Sequence, residues 1–278
     1  MTFLRAASRW ARSTTFSAIA LSASSCGVAG SFSLLTYNVA GLPEGISGSH
    51  PEHNTPLMGP LISKYDVVAV QEDFTYHDAL AARSSHPYKS EPKVPTKPVG
   101  DGLNVFSRFP LDATARSPWE TCFGALDHGS DCLSEKGFAI TRLTLEGELR
   151  VTLVNLHMDA GRDDRDREAR SRQVDQLLSA LTSSTARDAL IVAGDTNLKA
   201  DTPDSALLDR LLTGGGLTDV CRRLACGDER IDRVMLRDGD GVKLTATSWG
   251  IADELVDESG VDLSDHEGVR VAISYESD

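Results

Sequence analysis

Leu190-Ile191-Val192-Ala193-Gly194-Asp195-Thr196-Asn197 is an apolar run that ends abruptly in an acid and an amide. A short run of this kind, rich in branched side chains and closed by glycine, predicts a buried strand that carries polar groups at its end. The same step recurs along the chain. Leu34-Leu35-Thr36-Tyr37 leads to Asn38, Val67-Val68-Ala69-Val70 to Gln71-Glu72, and Val151-Thr152-Leu153-Val154-Asn155-Leu156 to His157, while Ser264-Asp265-His266 precedes the run from Gly268 to Ile273. Strands of one sheet can converge such groups on one rim. Hard oxygen ligands there suit Mg²⁺, which is bound by one or two carboxylates together with water and substrate phosphate. Two imidazoles can supply a general base and a general acid. The chemistry this implies is metal-assisted hydrolysis of a phosphate ester.

Strands are expected at about 32–37, 66–71, 103–107, 137–145, 149–156, 189–194, 231–236 and 268–275, with Glu146-Gly147-Glu148 joining two of them as a hairpin. Leucine and valine recur at helical spacing in 166–183 and again after Pro203. Helices thus alternate with strands only in part, which favours mixed sheets over a strictly doubly wound sheet. No repeat and no internal Pro/Ser/Gly linker divides the chain, so residues 31–278 are expected to form a single domain. The stretch 161–172 is a charge run expected as a solvated helix entry, and Gly214-Gly215-Gly216, lacking a following Lys-Ser/Thr, is expected as a loop.

Residues 1–30 have the pattern of an export signal: Arg5, Arg9 and Arg12 precede a short apolar stretch from Phe16 to Ala23 and then small residues. Ala23-Ser24-Ser25-Cys26 resembles a lipoprotein box, which would anchor the chain through Cys26; cleavage near Ala29 or Gly30 is the alternative. The expected location is secreted or cell-envelope. The remaining cysteines, Cys122, Cys132, Cys221 and Cys226, are even in number, as in exported proteins with disulfides, and neighbours are expected to pair. A Cys₄ zinc site is the rival, without the usual C-x₂-C knuckles. The net charge is −13, and because the first thirty residues hold three arginines and no acid, the rest stands at −16. Such a balance disfavours extended electrostatic capture of nucleic acid.

The chain resembles the endonuclease/exonuclease/phosphatase (deoxyribonuclease I-like) superfamily, and within it the secreted bacterial neutral sphingomyelinases. The resemblance rests on T-Y-N-V at 36–39, V-Q-E-D at 70–73, G-L-N-V-F-S-R-F-P at 102–110, N-L-H-M-D at 155–159, G-D-T-N at 194–197, I-D-R-V at 231–234 and S-D-H at 264–266. Each motif is weak alone; their joint order is the signal. The resemblance implies an α/β (α+β) four-layer sandwich, two packed mixed β-sheets flanked by helices. It also implies a metal-dependent phosphoric ester hydrolase with Mg²⁺ as cofactor, for which Mn²⁺ or another divalent ion can substitute.

Glu72, at the end of a buried-looking strand, is expected as the principal Mg²⁺ ligand because an isolated buried charge is costly. The family position of Asn38 contributes to the metal shell, as ligand or as ligand-orienting group, and Asp265 can reach the metal or the water. Asp195 and Asn197, two apart, can point the same way in extended geometry; the resemblance makes Asp195 the residue that primes the attacking water and Asn197 a holder of a phosphoryl oxygen. His266 is the expected base, with Asp232 fixing its tautomer, and His157 the phosphate-binding group or acid. Asn104 is expected either to contact phosphate or to start a strand, and Lys136-Gly137-Phe138 resembles a strand start in secreted sphingomyelinases. The expected partner is a phosphodiester, a lipid head group before nucleic acid, with peripheral membrane contact compatible and a monomer as the expected state. The alternatives are a secreted nuclease, an inositol phosphate phosphatase and a catalytically dead binding protein on the same scaffold.

Overall fold

Alternation of apolar side chains along each strand builds two hydrophobic surfaces from one run, because successive residues point to opposite faces. Leu34 and Leu35, neighbours in the first strand, therefore enter different core clusters, as do Leu190 and Ile191. In the computed structural model, which describes residue 1 and residues 27–124 and 131–277, this places one core between two sheets and one on the outer face of each. Cys26, with the expected lipoprotein box, lies outside the described residues.

The first sheet contains β1 (Ala29–Asn38), β2 (Val67–Gln71), β3 (Tyr88–Lys89), β4 (Asn104–Ser107), β11 (Val242–Ile251) and β12 (Val269–Ser277), in the order β11-β12-β1-β2-β4-β3. The second contains β5 (Ala115–Pro118), β6 (Gly137–Thr144), β7 (Arg150–His157), β8 (Leu190–Asp195), β9 (Thr218–Asp219) and β10 (Asp232–Arg237), in the order β5-β6-β7-β8-β10-β9. Both sheets are mixed: β1 runs parallel to β2 and β7 parallel to β8, and the other pairings are antiparallel. Helices α1 (Pro51–Ile62) and α2 (His77–Arg83) cover the outer face of the first sheet through Met58, Ile62 and Leu80. Helices α3 (Asp164–Ser183) and α4 (Ser205–Gly215) cover the second through Val174, Leu177, Leu181, Leu208 and Leu211, and a short α5 (Val220–Leu224) follows β9. The expected four-layer sandwich is borne out.

All eight expected strands form, and β6 and β7 pair as the expected hairpin across Glu146–Glu148. The first strand starts at Ala29, two residues inside the span read as export signal. Two expectations are corrected. Gly214 and Gly215 belong to α4, with only Gly216 turning out of it in the left-handed conformation at φ 62°. The 161–172 stretch is not simply solvated: Asp163 and Asp166 form a reciprocal capping box at the start of α3, and Arg170 is buried.

Two amides tie the sheets together: Gln71 Nε2 donates to Asn155 Oδ1 at 2.7 Å, and Asn155 Nδ2 donates to the carbonyls of Val70 and Asn104 at 2.8 and 3.1 Å. Cys122 pairs with Cys132 and Cys221 with Cys226, so the thiols are not available to a Cys₄ zinc site. Replacing Cys122 and Cys132 together by serine is expected to cost about 2–3 kcal/mol, the chain entropy of a loop this short. Urea unfolding of the variant checks it, and a change below about 0.5 kcal/mol would show that the bond does not restrain the unfolded chain. Among the described residues, no helix is long and apolar enough to cross a membrane.

Candidate active site

Strand register brings the polar residues together. In the second sheet Asp195 lies opposite His157 in the parallel β7–β8 pair and opposite Asp232 in the antiparallel β8–β10 pair, so it is central to a row of three. Gly194 permits that closeness, since a side chain there would meet the Leu156 carbonyl oxygen at 2.0 Å. In the first sheet Asn38 pairs with Gln71, and Glu72 follows directly in the left-handed region at φ 55°. Gly102 makes room for that turn: a Cβ on it would lie 2.5 Å from the Phe74 ring and 2.9 Å from Glu72 Cα. A non-glycine residue held in this conformation is strain of the kind that concentrates at functional positions.

Asn38 bridges the sheets. Its Nδ2 donates to Glu72 Oε1 and to Asp195 Oδ2, both at 3.3 Å, while its Oδ1 accepts from the Ala40 amide at 3.1 Å. The amide oxygen is thereby committed to the backbone and the nitrogen faces the carboxylates, the arrangement of a group that orients ligands. His157 Nε2 lies 3.3 Å from Asp195 Oδ2 and 3.9 Å from Glu72 Oε1. Burial, with the charges of Lys136 and His266 adding to it, drives the His157 pKa well below its ordinary value, so this imidazole is neutral.

His266 differs sharply. Its Nδ1 is 2.8 Å from Asp232 Oδ2 and its Nε2 3.8 Å from Asp195 Oδ2. Burial opposes its charge, but the hydrogen bond and charge of Asp232, then Asp195 and Asp265, hold its pKa up at about 10. Burial and the Asp232 charge push Asp195 up to about 7. Asp265 itself is exposed, takes a 3.5 Å bond from Ser264 Oγ and stands outside the buried group. Asn197 does not continue an extended strand beside Asp195: it turns at φ 50°, its amide donates to Asp195 Oδ1 at 3.0 Å and its Nδ2 to the Met158 carbonyl at 3.1 Å.

The donor set fits a divalent cation. Asp195, Asp232 and His266 offer ligand atoms within 4.8 Å of one another, and Asp232 Oδ1 is buried without a hydrogen-bond partner. Glu72, 20 % exposed, adds a carboxylate beside them that is open to solvent on one side. Oxygen-rich, partly open sites of this kind suit Mg²⁺.

Asn104 starts β4 and is absorbed in a buried network, donating to Asp73 Oδ2 at 2.8 Å and accepting from Arg116 at 3.0 Å. Lys136 is the residue whose electrostatic reach the sequence undersold. It precedes β6, pairs with Asp131, and despite burial keeps a raised pKa through Asp131, Glu72 and Asp195. Its only sequence signal was the Lys136-Gly137-Phe138 segment. Nearby, burial and the Asp131 charge push Asp159 up to about 6. An acid whose folded pKa is raised destabilises the fold as pH climbs through the window from about 4 to 6, since the native state holds the proton more tightly. Asp159→Asn is therefore expected to raise the thermal midpoint at pH 7.5 relative to the parent and to lose that advantage at pH 4. An equal shift at both values would overturn the assignment.

Two packed mixed sheets thus gather acids, amides and imidazoles at one rim. The chain belongs to the Endonuclease/Exonuclease/phosphatase family, whose model matches residues 35–266. It is 32 % identical over 275 residues to a sphingomyelinase of Mycobacterium tuberculosis, a match covering 90 % of this chain and 54 % of the relative. The chain thus spans about half the length of these curated sphingomyelinase relatives. Among solved structures it superposes on sphingomyelinase C from Streptomyces griseocarneus with a TM-score of 0.64 at 23 % identity, covering 87 % of this chain and 99 % of that one. A beta toxin of Staphylococcus aureus with bound magnesium ions gives a TM-score of 0.62 at 16 % identity, with 87 % and 99 % covered.

Proposed function

We propose that the chain is an exported, Mg²⁺-dependent phosphodiesterase that hydrolyses a lipid phosphodiester of the sphingomyelinase or phospholipase C type. The observation that carries the proposal is the convergence of Glu72, Asp195, Asp232, His157 and His266 from both sheets on one rim. Similarity to a sphingomyelinase over 90 % of the chain, the disulfides and the acidic balance support the lipid substrate and the export.

In this reading Glu72 and Asp195 would hold the cation, with Asn38 orienting both carboxylates and Asp265 adding negative charge from the exposed side. The cation would draw charge from the phosphoryl oxygens and counter the field that holds the His266 proton. Asp232 fixes the Nδ1 of His266, which leaves Nε2 to take the proton of the attacking water. His157, being neutral, serves as a hydrogen-bond donor to a phosphoryl oxygen rather than as an imidazolium acid. Asn197, fixed by its turn, shapes the same rim. Water and diester give a phosphomonoester and an alcohol, and the proton removed from water is returned to the leaving oxygen.

The test is a panel of sphingomyelin, phosphatidylcholine, plasmid DNA and inositol phosphates, each with Mg²⁺ and with chelator. Chelator-sensitive hydrolysis of a phospholipid with the highest kcat/KM is the expected outcome. Plasmid cleavage at clearly higher kcat/KM would replace the lipid assignment with a secreted nuclease, and metal-independent binding without turnover would leave a dead scaffold.

A further inference from the structure

Five apolar side chains that belong to none of the three core clusters, Leu42, Ile46, Phe74, Val99 and Leu133, wall one cavity of about 370 Å³ whose lining also includes Glu72. They come from separate connections: the segment after β1, the turn after β2, the approach to β4, and the short 3₁₀ turn Asp131–Leu133. Ile46 is 72 % exposed. A single exposed isoleucine is ordinary, but five apolar residues from four connections meeting in a concavity that touches a catalytic acid form a ligand surface. Apart from Glu72, the charged residues on the wall, Asp131 and Lys136, are joined in an ion pair.

We infer that this cavity is a specificity subsite that takes apolar carbon of the substrate's lipid portion, beside the phosphate at the cation site that includes Glu72. The inference rests on the phosphodiesterase reading and deepens it. A quaternary ammonium is the less suited occupant, because such cations are held by cages of several aromatic rings, and among the described residues Phe74 is the only aromatic side chain that lines this cavity. Ile46 at its exposed side would cover the chain as it enters.

The test uses the full chain with Mg²⁺ and two readouts. Methyl-, butyl- and octylphosphonate are titrated calorimetrically, and p-nitrophenyl methyl, butyl and octyl phosphates are followed for kcat/KM. Affinity and kcat/KM are expected to rise by up to about fourfold per methylene over the first few carbons, the gain from burying a CH₂ group. In Val99→Ser/Leu133→Ser, and separately in the surface variant Ile46→Ser, the octyl-to-methyl ratio is expected to fall, by at least about tenfold in the double variant. Chain-length independence in the parent protein, or unchanged ratios in both variants, overturns the subsite. Phosphocholine is titrated in the same way, and preferential loss of its binding over that of octylphosphonate in the variants overturns the choice of occupant. If the phosphonates show the chain dependence and no diester is hydrolysed, the subsite stands and the proposed activity falls.

Discussion

Glu72→Gln and His266→Ala are each expected to lower phosphodiester turnover by at least about a hundredfold while leaving the unfolding transition in place. The first removes a carboxylate that lies 3.3 Å from the orienting Asn38 nitrogen, and the second removes the imidazole that faces Asp195 across 3.8 Å. Neither side chain supports a core cluster, so circular dichroism and steady-state rates separate chemistry from folding. Asp232→Asn is expected to do less harm than His266→Ala, because the 2.8 Å contact to Nδ1 is weakened while the base remains. Near-parental turnover in Glu72→Gln or His266→Ala would remove that residue from the chemistry. Damage from Asp232→Asn equal to that from His266→Ala would give Asp232 a direct role, consistent with its place among the clustered ligand atoms.

Arg170→Ala is expected to destabilise the fold by about 3–5 kcal/mol, the cost of leaving one partner of a buried pair uncompensated. The buried Arg170 guanidinium is held bidentate by Asp204 at 3.0–3.3 Å, and its Nη1 donates to the carbonyls of Asp159, Ala160 and Gly161 at 3.0, 3.0 and 3.2 Å. Those carbonyls belong to the segment that leaves β7 after His157, so the pair also fixes the wall of the site. Urea unfolding measures the loss. Arg170→Met/Asp204→Leu is expected to recover part of it, because removing both charges leaves no orphan; a loss below about 1 kcal/mol in Arg170→Ala would show that the pair is replaceable by water.

Eight of the strands, and the residues that the fold gathers into the candidate site, were legible because both depend on local pattern. A polar residue directly after a buried run must sit at a strand end, and this rule alone marked Asn38, Glu72, His157 and Asp195. Elements with a weaker signal escaped it. Helix α1 carries Pro56 and Pro60 in its interior, which reads as a break. Strand β11 alternates buried and exposed positions at an edge with a register shift between Ala246 and Ser248, and its polar half hides the period. Strands β3 and β9 are two residues long and exist only through pairing with β4 and β10.

What the sequence determined by itself was eight of the twelve strands described, the family and the chemical types at the rim, since composition and period are properties of a segment. Tertiary structure alone decided which groups touch. Register placed Asp195 between His157 and Asp232, and packing of the two sheets aimed Asn38 at both Glu72 and Asp195. The same packing buried Arg170 on Asp204, left Asp265 in solvent and turned five loop side chains into one apolar cavity. Residues far apart in the chain acquire their distances, and hence their fields and pKa shifts, only when sheets and helices are in place.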